Sequence, residues 1–143
     1  MSKAGCVCID FRAVANRLTR LYDDKMAASG LTVTQFSQLN SIRQLGKPTL
    51  NELASATGLD RTTLARNVRV LEKLGYLNMT IGEDARTRLI QMTQSGKRAF
   101  EAAIPLWHGV QSGLIESLGD EGYAQLNELL NETNDACAAL AAN

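Results

Sequence analysis

Apolar residues recur at every third or fourth position from Ile9 to Met26, which places them on one face of a helix. Gly30 is expected to end this first helix, because glycine readily adopts the left-handed conformation found at helix C-termini. Two further helices are predicted to follow. Thr32 and Thr49 each precede an apolar run and stand three residues before a glutamine or glutamate, which is the arrangement of a capping box.

A short break separates the third predicted helix from a fourth. Gly58 ends one helix and Asp60 is the expected N-cap of the next, so a tight turn containing glycine joins two short helices. This spacing is typical of a helix-turn-helix unit, whose second helix enters the major groove of DNA.

The apolar period changes after Gly75. The segments YLNMTI and TRLIQMT alternate in polarity around the charged turn GEDAR, which predicts a two-stranded hairpin. Thr93 then opens a long helix, and a stop and restart at Leu118–Asp120 indicates one more helix after it. The pattern therefore predicts a mainly α protein of six helices with a small β-hairpin wing, which is a winged helix-turn-helix.

Charge is distributed unevenly, although the 15 basic and 15 acidic residues of the 143-residue chain cancel. Residues 60–98 hold eight basic and four acidic side chains, whereas residues 99–143 hold seven acidic side chains and no basic one. Such a split indicates one surface for a polyanion and another surface with a different role.

The fourth helix is expected to carry the polyanion-binding surface. Its helical period places Leu64, Val68 and Leu71 on one buried seam and the cationic side chains on the opposite face. In a helix-turn-helix, that face contacts base edges and phosphates, whereas on an isolated helix it would only be solvated. The candidate DNA-binding residues of this helix are Arg61, Thr62, Thr63, Arg66, Asn67, Arg69 and Lys73.

The hairpin loop adds two arginines to the candidate DNA-binding residues. Arg86 and Arg88 lie at or beside the tip, where a wing can insert an arginine into the narrow minor groove. The alternative role of Arg86 is an ion pair with Asp84 that stiffens the loop, and the two roles are compatible.

These segments together resemble the MarR family of bacterial transcription regulators. The resemblance is carried by LTVTQF, TLNELASATGLDRTTLARNVRVLEKLGYL and DARTRLIQMTQSG, and it extends over nearly the whole chain. It implies a homodimeric winged-helix protein that binds a palindromic site on double-stranded DNA, most often as a repressor released by a small molecule or an oxidant.

The resemblance also implies a division of the chain. Residues 1–30 and 94–143 are expected to form a helical dimerisation region, and residues 31–93 the winged helix-turn-helix DNA-binding domain. The first helix and the last two carry apolar stripes that fit a partner subunit, the alternative being a bundle within one chain.

Three cysteines are candidates for oxidant sensing. Cys6 and Cys8 stand at the entrance to the first helix, where the helix dipole stabilises a thiolate. Peroxide-sensing members of the family are similar in carrying a reactive cysteine in this helix. If the first and last helices meet across a dimer, Cys137 of the other subunit could resolve a sulfenic acid at Cys6 or Cys8, whereas a bridge between Cys6 and Cys8 would be strained. The alternative is that all three are ordinary thiols.

A competing effector is a small aromatic or phenolic ligand in a crevice between the dimerisation helices and the DNA-binding domain. Each candidate contact can equally be a core residue. The candidates are Phe11, Tyr22, Phe36, Trp107 and His108.

Other classes of function find little support in the sequence. His108 is the single histidine and has no metal-spaced partner, and the chain has no phosphate-binding glycine motif, nucleophile elbow or HExxH motif. We therefore expect no enzyme, no cofactor and no metal. Neither a membrane span nor a secretion signal is recognised, so the expected location is the cytoplasm. The remaining rival is a winged helix that contacts proteins without binding DNA.

Overall fold

The computed structural model describes residues 5–142, so the ends of the predicted dimerisation region, residues 1–4 and 143, lie outside the described residues. A 3₁₀ turn at Ala27–Ser29 follows the first helix, and Gly30 ends it with φ 76°. The elements follow in the order α1 (Val7–Met26), α2 (Val33–Leu45), α3 (Leu50–Thr57), α4 (Arg61–Lys73), β1 (Leu77–Ile81), β2 (Arg88–Met92) and α5 (Gln94–Ala141).

Both predicted capping boxes are confirmed. At the start of α2, Gln35 N donates to Thr32 Oγ1 at 3.2 Å and Thr32 N donates to Gln35 Oε1 at 3.0 Å. Thr49 and Glu52 make the same reciprocal pair at the start of α3, at 3.2 and 2.8 Å. These bonds satisfy backbone donors that the first turn of a helix leaves without partners.

The helix-turn-helix unit is formed by α3 and α4. Gly58 ends α3 in the left-handed conformation with φ 69°, and Asp60 caps α4 by accepting from Thr63 N. The buried seam of α4 packs into the main core of the chain. That core includes Met26, Leu39, Ile42, Leu53, Leu64, Val68, Leu71, Leu77, Ile90 and Phe100.

The predicted hairpin is confirmed as an antiparallel pair of strands, with Leu77 opposite Met92 and Met79 opposite Ile90. Alternate residues of β2 are buried, so one face of the hairpin joins the core. Ile90 N also donates to Pro48 O at 2.8 Å, which ties β2 to the loop before α3.

Six helices were predicted, and the described residues form five α-helical elements, the last of which is two helices joined at a kink. The long C-terminal element α5 includes both predicted final helices. The predicted stop lies within it at Gly119, the one residue of α5 with non-helical backbone angles, φ 72° and ψ 161°. A single glycine absorbs the break, and helical residues resume at Asp120 without a loop.

The described residues fall into two compact units, the first ending at Trp107 and the second beginning at His108. The first unit contains the main core, α4 and the hairpin. Within the second unit, Gln111 Nε2 donates to the phenolic oxygen of Tyr123 at 2.8 Å. Over the described part of the chain, every helix is too short or too polar to cross a membrane.

A junction of backbone contacts fixes the start of α5 against the turn after α4. Thr93 Oγ1 donates to Gly75 O at 2.6 Å, and Thr93 N donates to Tyr76 O at 3.0 Å. Gly96 N in turn donates to Thr93 Oγ1 at 3.0 Å. A Cβ atom on the buried Gly96 would collide with the carbonyl oxygen of Tyr76 and lie 2.9 Å from Met92 Cγ. The close approach of the two backbones therefore requires glycine at this position.

Gly96→Ala is expected to lower the free energy of unfolding by about 1–3 kcal/mol, because the added methyl group must displace backbone in a packed junction. Urea denaturation measures the change. Ser95→Ala, at the exposed neighbouring position, is the matched control and should stay within about 0.5 kcal/mol of the wild type. A Gly96→Ala protein as stable as the wild type would contradict the rigid junction.

Candidate nucleic-acid interface

The cationic face of α4 is exposed as the sequence predicted. Leu64, Val68 and Leu71 are 0%, 1% and 0% exposed, which turns the opposite side of the helix to solvent. Asn67 is half-buried at the edge of this face. The exposed residues of the face are Arg61, Thr62, Thr63, Arg66, Arg69 and Lys73.

The cationic groups of α4 are available to a ligand. Across residues 5–142, the side chains of Arg61, Arg66 and Arg69 make no ion pair or hydrogen bond within the chain, and the same holds for the ammonium group of Lys73. A cation that has no partner in its own chain keeps its donors for an external anion. We call the exposed cations and hydroxyl opposite the seam, Thr62, Arg66, Arg69 and Lys73, the α4 ridge.

Thr63 has a structural partner. Its hydroxyl donates to Asp60 Oδ2 at 2.7 Å, and its backbone N–H donates to the same carboxylate at 3.2 and 3.3 Å. The side chain therefore completes the N-terminal cap of α4. Any contact of Thr63 with DNA would use the lone pairs that its hydroxyl oxygen retains.

The wing loop is held by local hydrogen bonds that leave one arginine free. Asp84 Oδ1 accepts from Arg86 N at 3.0 Å, and Asp84 O accepts from Thr87 N at 2.9 Å. Arg88 Nη1 donates to Ala85 O at 3.0 Å, so this guanidinium helps to close the loop. The predicted partnership of Arg86 with Asp84 uses the backbone of Arg86, and among the described residues its guanidinium makes no ion pair.

A cavity of about 850 Å³ lies beside α2, β2 and α5 within the first unit. Its wall is aromatic: the ring centroids of Phe36 and Phe100 are 4.8 Å apart, and those of Phe36 and Trp107 are 5.7 Å apart. The guanidinium carbon of Arg43 lies 5.3 Å from the centroid of Phe100, a cation–π contact. The polar and charged lining residues are Asn40, Arg43, Gln44, Lys47, Gln91, Lys97 and Glu101.

Two of the five candidate ligand contacts, Phe36 and Trp107, line this cavity. Phe11 is exposed on α1 and Tyr22 packs against the core, both outside the cavity lining. His108 belongs to the second unit, where its Nδ1 lies 3.1 Å from Ser112 Oγ.

Sequence analysis missed Arg43, Phe100 and the lysines of the cavity. A signal was present in α2, because Phe36, Asn40 and Arg43 are spaced by four and three residues and therefore share a face. The facing residues of β2 and α5 are distant in sequence, and no local pattern connects them to α2.

All three cysteines are exposed free thiols. Cys6 is the N-cap of α1 and Cys8 lies in its first turn, while Cys137 lies near the C-terminal end of α5. Between residues 5 and 142, no group of three or more His, Cys, Asp or Glu side chains could hold a metal ion.

Comparison with known proteins places these features in a family. A model of the MarR family matches residues 29–86. The crystal structure of the M. tuberculosis transcriptional regulator MosR in complex with DNA is similar with a TM-score of 0.85 and 36% identity, over 94% of this chain and 98% of that one. An HTH-type transcriptional regulator of Bacillus cereus is 29% identical over 120 residues, which are 83% of this chain and 80% of that protein.

A further structural neighbour shows the same fold at lower identity. Bordetella bronchiseptica BpsR, whose DNA binding is regulated by 6-hydroxynicotinic acid, matches with a TM-score of 0.81 and 21% identity over 94% of this chain and 98% of that one. The chain therefore belongs to the MarR family of transcriptional regulators, as the helix-turn-helix, the wing, the family match and the identity to MosR together show.

Proposed function

We propose that the protein is a homodimeric, sequence-specific DNA-binding repressor whose affinity for DNA is controlled by a small aromatic ligand or by an oxidant. The observation that carries the proposal is the α4 ridge, a row of exposed cations without partners in the described chain, opposite a fully buried seam. A protein-contact module, the alternative function, would have no need of unpaired guanidinium groups at the centre of its helix-turn-helix.

Each part of the surface has its own role on DNA. Arg66 and Arg69 reach guanine edges or phosphates in the major groove, and Lys73, farther along α4, neutralises the backbone. Arg61, Thr62, Thr63 and Asn67 supply further polar contacts around them. In the wing, the free guanidinium of Arg86 enters the minor groove. Arg88 stabilises the loop through its hydrogen bond to Ala85 O and also contacts the adjacent phosphates.

Dimer formation is supported by apolar side chains that are exposed in the single chain. On α1, Val7, Ile9 and Val14 are 64%, 59% and 53% exposed. In the second unit, Leu126, Leu129, Leu130 and Leu140 are exposed as well. A second copy would cover these side chains. Residues 1–30 and 94–143 then form the dimerisation region, and residues 31–93 the DNA-binding domain.

A two-fold dimer sets the form of the operator. Its two recognition helices enter successive major grooves about 34 Å apart on one face of the duplex, so the preferred site is an imperfect palindrome. A dimer that occupies such a site beside a promoter blocks transcription. The protein acts in the cytoplasm, where the DNA of a bacterium lies.

The aromatic cavity is the site proposed for a small effector. Stacked Phe36, Phe100 and Trp107 offer faces to an aromatic ring, and Arg43, Lys47 and Lys97 outnumber the single carboxylate, Glu101. This combination suits an aromatic carboxylic acid, the chemical class of the BpsR effector. The effector binds within the first unit and repositions α2 and the start of α5.

Oxidation is the second proposed input, supported by the exposed thiols at the N-terminus of α1. A thiolate at Cys6 or Cys8 attacks the O–O bond of a peroxide, forming a sulfenic acid and releasing hydroxide or alkoxide. Cys137 of the partner subunit then displaces water from the sulfenic acid and forms a disulfide. The bridge changes the dimer geometry and with it the spacing of the recognition helices.

Arg66→Ala is expected to weaken binding to the preferred duplex by about 5- to 150-fold and to alter base preference at one position in each half-site. Site selection from random duplexes, followed by titration at several salt concentrations, measures both effects. Lys25→Ala, which removes an exposed cation from α1, is the control and should change affinity far less. Wild-type protein that binds no duplex at low salt would refute the proposed function.

Aromatic carboxylic acids are expected to quench the fluorescence of Trp107, the only tryptophan of the chain, and to raise the melting temperature. Arg43→Gln should weaken their binding by about tenfold or more, because a charge-assisted hydrogen bond is lost. Neutral phenols should bind both proteins alike. Arg98→Gln, an exposed change on α5 outside the cavity, is the control. Equal affinity of Arg43→Gln and the wild type for the acids would exclude the cavity as their site.

Peroxide treatment is expected to produce a disulfide-linked dimer on a non-reducing gel and to lower DNA affinity. Cys137→Ser should abolish the linked dimer, and so should the serine variant of whichever thiol, Cys6 or Cys8, is oxidised first. Reduction with dithiothreitol should restore binding in the wild type. Unchanged DNA binding after oxidation, without any linked species, would rule out the oxidant input.

A further inference from the structure

A second, smaller concavity of about 350 Å³ lies on the DNA-binding surface itself. It is lined by Leu50, Arg61, Thr62, Ala65, Arg66 and Arg69. Leu50 and Ala65 are half-buried, whereas the other four are exposed. The apolar pair therefore forms the floor of the concavity, and three guanidinium groups and one hydroxyl form its rim.

The floor is fixed by the helix-turn-helix. Leu50 is the first residue of α3, held there by the capping box of Thr49, and its side chain packs against the main core. Ala65 follows the core residue Leu64 on α4 and lies one helical turn from both Arg61 and Arg69. Neither floor side chain can donate or accept a hydrogen bond.

The chemistry of the concavity selects among the groups that a duplex offers. The rim attracts a polyanion, but a phosphate oxygen or a base-edge oxygen or nitrogen on the floor would lose its hydrogen bonds to water and gain none. The apolar group exposed in the major groove is the C5-methyl group of thymine. It is small enough for the concavity and matches the floor.

We infer that Leu50 and Ala65 form a thymine-methyl subsite, which makes them specificity-determining residues although neither carries a polar group. The inference rests on the proposed DNA-binding function and extends it to one base of each half-site. Arg66 and Arg69 on the rim hold the neighbouring base edge or phosphate and bring the methyl group onto the floor.

The size of the effect follows from burial of a methyl group. Removing one buried methyl group is expected to weaken binding by about fourfold, and removing the two that a palindrome presents by about 15-fold. Replacing thymidine with deoxyuridine removes this methyl group. The replacement leaves polar contacts unchanged, because deoxyuridine retains every hydrogen-bond donor and acceptor of thymidine.

Deoxyuridine scanning of the selected operator tests the inference. Each thymidine is replaced symmetrically in both half-sites, and the affinity of each duplex is measured for the wild type, Ala65→Ser and Leu50→Ala. The control is Ala102→Ser, the same substitution at an exposed position of α5. Circular dichroism and melting temperature establish that Leu50→Ala, which loses core contacts, remains folded.

The expected result is one thymine position per half-site at which the wild type and Ala102→Ser lose about 15-fold in affinity. At that position the affinities of Ala65→Ser for the thymidine and deoxyuridine duplexes should differ by less than about twofold, because its hydroxyl makes the floor polar. The two affinities of Leu50→Ala should also differ less than those of the wild type. Two results would overturn the subsite while leaving DNA binding intact: tight binding without any loss on deoxyuridine substitution, or a loss that both floor variants retain in full. Absence of binding to every duplex would instead refute the proposed function and the subsite with it.

Discussion

Burial of the α4 seam is the contact on which the rest of the interface depends. Leu64, Val68 and Leu71 are at most 1% exposed, and each contributes roughly 1.5–3 kcal/mol through the apolar surface that it removes from water. Because a helix is rigid, fixing one side fixes the direction of the other. Arg66 and Arg69 are therefore held toward solvent at no additional conformational cost to the backbone, which is the preorganisation that binding a rigid duplex requires.

The orientation of α4 is set by a second contact, the junction with α5. Thr93 donates two hydrogen bonds to the turn that follows α4, at Gly75 O and Tyr76 O, and Gly96 N donates to Thr93 Oγ1, so a rotation of α4 would strain its contacts with the first turn of α5. The aromatic cavity is lined by Lys97 and Phe100, which lie in the turns that follow this junction. Under the proposed function, an effector that separated α2 from α5 would act on the same backbone contacts that orient the α4 ridge, and no long chain of intermediate residues would be needed between the two sites.

Local features of the fold were predictable from the sequence, and contacts between distant segments were not. The capping boxes, the helix end at Gly58 and the alternating polarity of each strand depend on residues a few positions apart, so their patterns are visible in the chain. Family membership likewise confirms the prediction of a regulator and not an enzyme. Gln38 is different: it is 2% exposed, and its amide has no hydrogen-bond partner among the described residues, which nothing in the pattern of α2 indicates. The cavity around Arg43 and Phe100 and the apolar floor of Leu50 and Ala65 also depend on which helices meet, information that helical periodicity does not contain.

Charge segregation explains how a chain with no net charge can bind a polyanion. Screening at physiological salt limits electrostatic interactions between exposed groups to about 8 Å, so a duplex in contact with α4 interacts mainly with the arginines of that helix. The seven acidic residues of 99–143 then oppose binding only when this segment itself approaches DNA. Weak long-range attraction also reduces non-specific association with the genome. Discrimination between DNA sequences then depends on short-range contacts in the groove, so single methyl groups and base edges contribute substantially to specificity.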